Sequence, residues 1–265
     1  MRSSGRYLPP GVPGRCWRRS DRRVVAHTPR RHDELVALLV VSGRMRYLID
    51  DQVLVLGSGS LLWAHADQAH FLLSESADFD MWVFVIAPEL LQEGPLFPHL
   101  CAGDRSPAEG GRLLSARDAD ALASVARDLR GCEDKAFLTL GLEWWTVRPW
   151  AAWQTAKGMT GRQVHPAVQR AAESLRRDPE QSVSAVAREA GLSCSHLSRL
   201  YQAATGQSLA AFRTDQRLKR VDAAMAATDA PPLLTAAHDA GFGSYAQFYR
   251  AFRAALHTNP RSYYA

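Results

Sequence analysis

Cysteine is scarce in this chain, and its four copies stand apart. Cys16, Cys101, Cys132 and Cys194 form no CxxC pair. That argues against a disulfide framework or a zinc knuckle and makes a reduced cytoplasmic compartment the default. Long hydrophobic runs are missing too. The longest apolar stretches are broken within a few residues, so no segment reads as a membrane span. The basic N-terminus has no apolar stretch behind it, which argues against a secretory signal. Charge of one sign does not dominate: the net value is +5 over 265 residues, with 46% hydrophobic and 22% charged. That balance fits a soluble globular protein with room for two ordinary domains.

What the chain does have is a phrase written twice. Val183, Val186, Ala187, Ala190, Gly191 and Leu192 return 50 positions later as Leu233, Ala236, Ala237, Ala240, Gly241 and Phe242. Leu197, Leu200, Tyr201 and Ala204 return 51 positions later as Phe248, Ala251, Phe252 and Ala255. Spacing of i, i+3, i+4, i+7 marks the buried stripe of a helix. A glycine between two short helices supplies the tight turn of a helix-turn-helix. From His165 onward there are 12 Lys+Arg against 8 Asp+Glu, so the duplicated region carries most of the positive excess. Such an excess is the expected footprint of phosphate contact.

The rest of the chain divides by composition. Residues 1–23 hold Gly, Pro, Ser and many Arg and read as a disordered basic arm. Residues 24–111 read as strands: Leu35–Val41, Arg44–Ile49, Gln52–Leu56, Ser60–Ala64 and Met81–Ile86. Ser42-Gly43, Asp50-Asp51 and Gly57-Ser58-Gly59 separate them, which predicts a small antiparallel barrel or sandwich. Residues 112–158 read as a helical hairpin broken at Gly131. Leu113, Leu122, Val125 and Leu129 lie on its first arm, Phe137, Leu140, Leu142, Trp144 and Trp145 on its second. The hairpin must bury its outer face, by packing back onto the barrel or by forming a two-fold dimer; both stay open. It is thus a dimerisation or coupling segment. Lys157 to Gln163 reads as the linker, and residues 165–265 as the all-α duplicated domain. The fold class is α+β.

In the first unit, Ser182 is placed as the N-cap of a short helix, and a second helix runs from about Ser195 to Thr205. Its outer face offers Ser195, His196, Ser198, Arg199 and Gln202. The second unit, with Pro232 in place of Ser182, offers Tyr245, Ala246, Gln247, Tyr249 and Arg250 on a helix from about Ser244 to Leu256. Arginine can read guanine with two parallel bonds, glutamine can pair with adenine, and tyrosine can reach phosphate. Ser208 to about Thr228 reads as one helix that would space the units by ~30 Å, near the ~34 Å between successive major grooves on one face of DNA.

From His165 onward the chain resembles the AraC/XylS-type DNA-binding domain of bacterial transcriptional regulators. The resemblance rests on AlaGlyLeuSer at 190–193, SerHisLeuSerArgLeuTyr at 195–201, ThrGly at 205–206, ArgLeu at 217–218, GlyPhe at 241–242, the run at 244–253, and Pro260 with Tyr263. It implies DNA contacts from Ser195, Ser198 and Arg199, and from Tyr245, Ala246, Gln247, Tyr249 and Arg250. His257 stands where a glycine is usual.

The N-terminal half is similar to a cupin barrel, the usual sensory domain of such regulators. His32-Asp33-Glu34-Leu35 and Gly59–Trp63 with His70 carry that likeness. The effector pocket is assigned to His32, Glu34, Trp63, His70 and Trp82. Arg30 occupies the first metal-histidine position and Glu34 follows His32 too closely, so the barrel is read as holding no metal and needing no cofactor.

Together these features predict a ligand-responsive, sequence-specific transcriptional regulator, activator or repressor, without catalysis. Its partners would be promoter DNA, a small-molecule effector of unknown identity, RNA polymerase and, in one alternative, a second copy; no membrane is involved. The rival readings are a metal-dependent cupin enzyme with a helical appendage, and a non-specific nucleic-acid binder.

Overall fold

In the computed structural model, residues 8–20, 33–65, 68, 70–92, 111–159, 161–227 and 229–264 are described. They form two units that meet in sequence between Gln163 and Val164.

The first unit holds ten strands: β1 (Gly14–Arg19), β2 (Leu35–Ser42), β3 (Arg44–Ile49), β4 (Gln52–Gly57), β5 (Ser60–Ala64), β6 (His70–Glu75), β7 (Asp80–Ile86), β8 (Gly111–Leu113), β9 (Lys157–Gly158) and β10 (Arg162–Gln163). They make a six-stranded sheet, β1-β7-β2-β5-β8-β9, and a four-stranded sheet, β10-β4-β3-β6. Neighbours pair antiparallel. Among the described residues, three helices accompany them: α1 (Pro88–Gln92), α2 (Ala116–Leu129) and α3 (Lys135–Thr155). Gly43 makes the corner where the chain leaves one sheet for the other. Its φ is +72°, and a Cβ there would lie 2.7 Å from Phe79 Cα. Only glycine tolerates both constraints.

The larger sheet is buried on both faces. Along β2, Val36, Leu38 and Val40 face the second sheet, with Met45, Leu54, Leu56 and Leu72. Leu35, Ala37 and Leu39 face the opposite way, against Leu122, Ala126, Leu142 and Trp145 of α2 and α3. This double burial explains why β2 and β7 read as continuous apolar runs rather than alternating ones. Trp145 anchors the helical face. It is fully buried, stacks on Phe84 with centroids 3.6 Å apart, meets Trp63 edge-on at 5.9 Å, and donates Nε1–H to Leu122 O at 3.2 Å.

Several sequence expectations change here. The disordered arm assigned to residues 1–23 does not hold for 14–19, which form β1 on the edge of the larger sheet. Its arginines serve the sheet. Arg18 grips Asp80 through Nε at 3.0 Å, and the buried Arg19 reaches Glu75 at 2.8 Å. The linker assigned to 157–163 is instead the two short strands β9 and β10, which close sheet edges against β8 and β4. Leu113 belongs to β8 rather than to a helix, and His70–Glu75 is a strand the reading did not separate. Each of these segments is too short or too polar for periodicity to mark it; pairing partners decide it.

The second unit is all helical: α4 (Pro166–Arg177), α5 (Val183–Glu189), α6 (Cys194–Thr205), α7 (Leu209–Met225), α8 (Leu233–Asp239), α9 (Tyr245–Leu256) and α10 (Pro260–Tyr263). The connecting helix α7 has 17 residues, so it spans about 26 Å, shorter than the sequence suggested. Thr228 lies outside the described residues.

Truncating the buried ring of Trp145 to alanine should cost about 3–5 kcal/mol. Urea unfolding followed by circular dichroism would show it as a lowered midpoint; an unchanged midpoint would contradict this account of the core.

Candidate nucleic-acid interface

The two repeats fold alike down to single hydrogen bonds. In the first, Gly191 has φ +71° and donates its N–H to Arg188 O at 3.0 Å; Leu192 N–H reaches back to Ala187 O at 3.0 Å. In the second, Gly241 has φ +90° and donates to His238 O at 2.8 Å; Phe242 N–H reaches Ala237 O at 3.1 Å. Such backward bonds satisfy the last carbonyls of α5 and α8 and aim the chain into the next helix. That next helix is capped in the same way each time. Ser193 Oγ accepts His196 N–H at 3.3 Å, and Ser244 Oγ accepts Gln247 N–H at 3.2 Å. The entry helices differ: Ser182 Oγ caps α5 at 3.1 Å, whereas Pro232 gives α8 no side-chain cap.

Both stripes are buried as their spacing requires. Val186, Ala187, Leu197 and Tyr201 are at most 2% exposed, as are Ala236, Ala237, Phe248 and Phe252. The opposite faces of α6 and α9 are free to meet a partner. On α6, Ser195, His196 and Arg199 are exposed and Ser198 is half-buried. On α9, Ala246, Gln247 and Arg250 are exposed, while Tyr245 and Tyr249 are half-buried with their rings 6.3 Å apart. Among the described residues, neither Arg199 nor Arg250 has an ion-pair partner. Gln247 is partly committed: its Oε1 accepts Gly243 N–H at 2.9 Å, leaving its amide N–H groups to point outward. Gln202 is turned inward to its own helix end, donating to Gly206 O at 3.0 Å. Sequence reasoning missed Arg253, exposed one turn beyond Arg250 on the same face; its i+3 spacing was the available signal.

Among the described residues, the sequence-assigned effector side chains do not come together at one place. His32 lies outside the described residues, as does Arg30. Trp63 and Trp82 point to the helical face of the larger sheet, where Trp63 lies 6.2 Å from the Trp153 ring. The strand alternation that puts Leu62 and Val83 between the sheets puts these tryptophans outside it. Both are buried in the core on that side. His70 sits on the smaller sheet, its ring stacked on Tyr47 at 6.1 Å and its Nδ1 2.9 Å from Gln68 O. Glu34 lines a cavity of about 250 Å³ with Leu8, Val12, Ala87, Glu89 and Leu90. Its Oε1 accepts Leu8 N–H at 3.0 Å. A second cavity of about 300 Å³ lies between Leu39, Gly59, Leu114 and Ala123. Among the described residues, no group of three or more metal-ligating side chains comes together, and no helix is long and apolar enough to cross a membrane.

Matched helix-turn-helix units that follow a two-sheet domain in sequence define a DNA-binding protein with a separate N-terminal domain for a ligand. Two sequence families match the chain accordingly. Residues 12–122 match the AraC-like ligand binding domain, and residues 186–265 match a helix-turn-helix domain. The chain belongs to the AraC-type transcriptional regulators. Among solved structures it is similar to an apo variant of ToxT from Vibrio cholerae, at 12% identity and a TM-score of 0.44, covering 88% of this chain and 89% of that one. Wild-type ToxT with an unsaturated fatty acid bound gives 12% identity and 0.44, covering 100% and 97%. The AraC-like transcriptional activator CuxR gives 17% identity and 0.36, covering 78% and 73%. No curated protein sequence matches the chain.

One helix end departs from the repeat. Gly206 closes α6 with φ +74°, and its counterpart closing α9 is His257 with φ +55°. A side chain in this left-handed region costs about 1–2 kcal/mol, which glycine avoids. Changing His257→Gly should therefore raise the unfolding free energy by about 1 kcal/mol. Thermal unfolding would register that as a higher Tm; a lower Tm would show that the imidazole makes a compensating contact.

Proposed function

We propose that α6 and α9 read two different half-sites of promoter DNA in tandem. The observation that carries this is the pair of exposed arginines, Arg199 and Arg250, at equivalent positions of two units with matching turns and caps. Ser195, His196 and Ser198 would accompany Arg199, and Tyr245, Ala246, Gln247 and Tyr249 would accompany Arg250. The second helix is the richer reader, because Ser195 and Ser198 are short while Gln247 and the two tyrosines reach further. RNA polymerase is the partner through which such binding would alter transcription. A cytoplasmic site of action, and no catalysis, go with that role.

A small-molecule effector of the first unit would act by binding one DNA-competence state better than the other. The cavity beside Glu34 suits it, because it joins an apolar wall of Leu8, Val12, Ala87 and Leu90 to two carboxyl-bearing side chains, Glu34 and Glu89.

A second copy of the chain is the proposed partner of α3. Phe137, Leu140, Trp144 and Val147 are 42–66% exposed and recur at 3-4-3 spacing, the seam of a two-stranded coil.

Arg250→Ala should weaken binding to a duplex selected by the wild-type chain by about 1–3 kcal/mol, with Tm unchanged. Fluorescence anisotropy at fixed salt would measure it, and unaltered affinity and selectivity would assign Arg250 to structure instead. Leu140→Glu should shift sedimentation toward a monomer; an unchanged distribution would remove α3 as the self-association surface.

A further inference from the structure

Three arginines share one face of α7 at i, i+4 and i+7: Arg213, Arg217 and Arg220. All three turn toward the segment between α4 and α5. Arg213 Nη1 donates to Gln181 O at 3.3 Å, and Arg220 Nη1 pairs with Glu180 Oε1 at 3.1 Å. The Arg220 pair is about half exposed on both sides, so it contributes little.

Arg217 differs from its neighbours. It is only 7% exposed. Its Nε donates to Pro179 O at 2.8 Å and its Nη2 to Glu180 O at 3.3 Å. Its guanidinium carbon also lies 5.8 Å from the centre of the Phe242 ring. Phe242 follows Gly241, the turn glycine of the second helix-turn-helix. A Cβ on Gly241 would lie 3.2 Å from Arg217 Nε and 2.8 Å from Glu180 Cγ. Glycine is therefore needed at 241 for close approach as well as for its positive φ.

One side chain thus touches the turn that leads into the first unit, the helix between the units, and the turn inside the second unit. Arginine suits this place and lysine does not. A planar fork can donate along its edge to two carbonyls while its face lies against a ring. Burial and the neighbouring Arg213 work against its charge, while Glu180 and Asp178 favour it. A buried charge persists only when it is hydrogen-bonded, so the contact tolerates little movement.

We propose that Arg217 is a positioning residue for DNA recognition: it locks the two helix-turn-helix units at one separation and angle, and so sets the half-site spacing the chain accepts. This rests on the tandem reading of DNA proposed above. Inserting one base pair between half-sites rotates the second by roughly 34–36° and moves it about 3.4 Å. A locked pair of recognition helices then loses one half-site; a loosened pair follows it.

The test uses the full chain and a duplex enriched from a random library by the wild-type protein. Affinities are measured for that duplex, for versions with one base pair added or removed between the half-sites, and for each half-site alone. The wild-type chain should bind the shifted duplexes about 10- to 100-fold more weakly, the loss of one to two base contacts. Arg217→Met should bind both half-sites alone as the wild type does, yet discriminate spacing less than about threefold, which is within the scatter of one weak contact. Should the methionine variant fail to bind either half-site, Arg217→Lys, which keeps the charge and one hydrogen bond, is read by the same criterion. Wild-type spacing discrimination in either folded variant overturns the proposal and leaves Arg217 a stabilising residue only. Indifference of the wild-type chain to spacing overturns it as well. Enrichment of no duplex at all would instead refute the DNA reading itself.

Discussion

Helix α7 has to complete two cores at once, and the architecture of the second unit depends on it. Near its start, Leu209 and Phe212 are at most 1% exposed, and Phe212 lies 5.5 Å from the Tyr201 ring of the first helix-turn-helix. Near its end, Leu218 and Val221 join Ala236, Ala237, Phe248 and Phe252 in the core of the second. A helix anchored at both ends by close-packed side chains cannot rotate about its axis without breaking one core. The arginine face between those anchors follows from the same geometry, since it must point at whatever lies between the units. Part of the positive excess that suggested phosphate contact therefore holds protein to protein. Exposed arginines remain on α6 and α9, at 199, 250 and 253, and also on α4, α5 and α10, at 177, 188 and 261.

The repeats are equal inside and unequal outside. Small alanines at 187 and 190, and again at 237 and 240, let consecutive helices approach closely, while glycine provides the bend. These demands are the same in both copies, so the buried stripe is repeated. No such constraint acts on the exposed face, and there the copies diverge. Cys194, Ser195, His196 and Ser198 stand on one helix where Tyr245, Ala246, Gln247 and Tyr249 stand on the other. The tyrosines are half-buried against each other and Phe248, so their position is set by packing although their hydroxyls remain available.

The N-terminal unit follows a different rule. Its larger sheet has no solvent face at its centre, because α2 and α3 cover one side and the smaller sheet the other. That explains both its reading as strands and the burial of its tryptophans on the helical side. A large aromatic in a strand signals burial, but a doubly covered sheet has two interiors. Trp63 and Trp82 enter the helical one. Glu34, part of the cupin likeness, lines a cavity and accepts a hydrogen bond from Leu8, 26 positions earlier.

The α+β class, the order of strands before helices, the paired helix-turn-helix units and the candidate reading faces were all legible in the chain. Each depends on local periodicity, turn glycines and capping serines, which act within a few residues of one another. The role of the 14–19 segment, the closing strands at 157–163 and the buried state of Arg217 were not legible, because each is settled by a partner distant in sequence. Arg19 is 56 residues from Glu75, and Arg217 is 38 from Pro179. A charge in a sequence looks solvated until a carbonyl, a carboxylate or a ring is brought to it. By itself, then, the sequence determined which helices and turns form and which faces they bury. Only the tertiary structure decided which of its arginines remain available to a partner, because burial beside a fixed acceptor is a property of two segments and is written in neither alone.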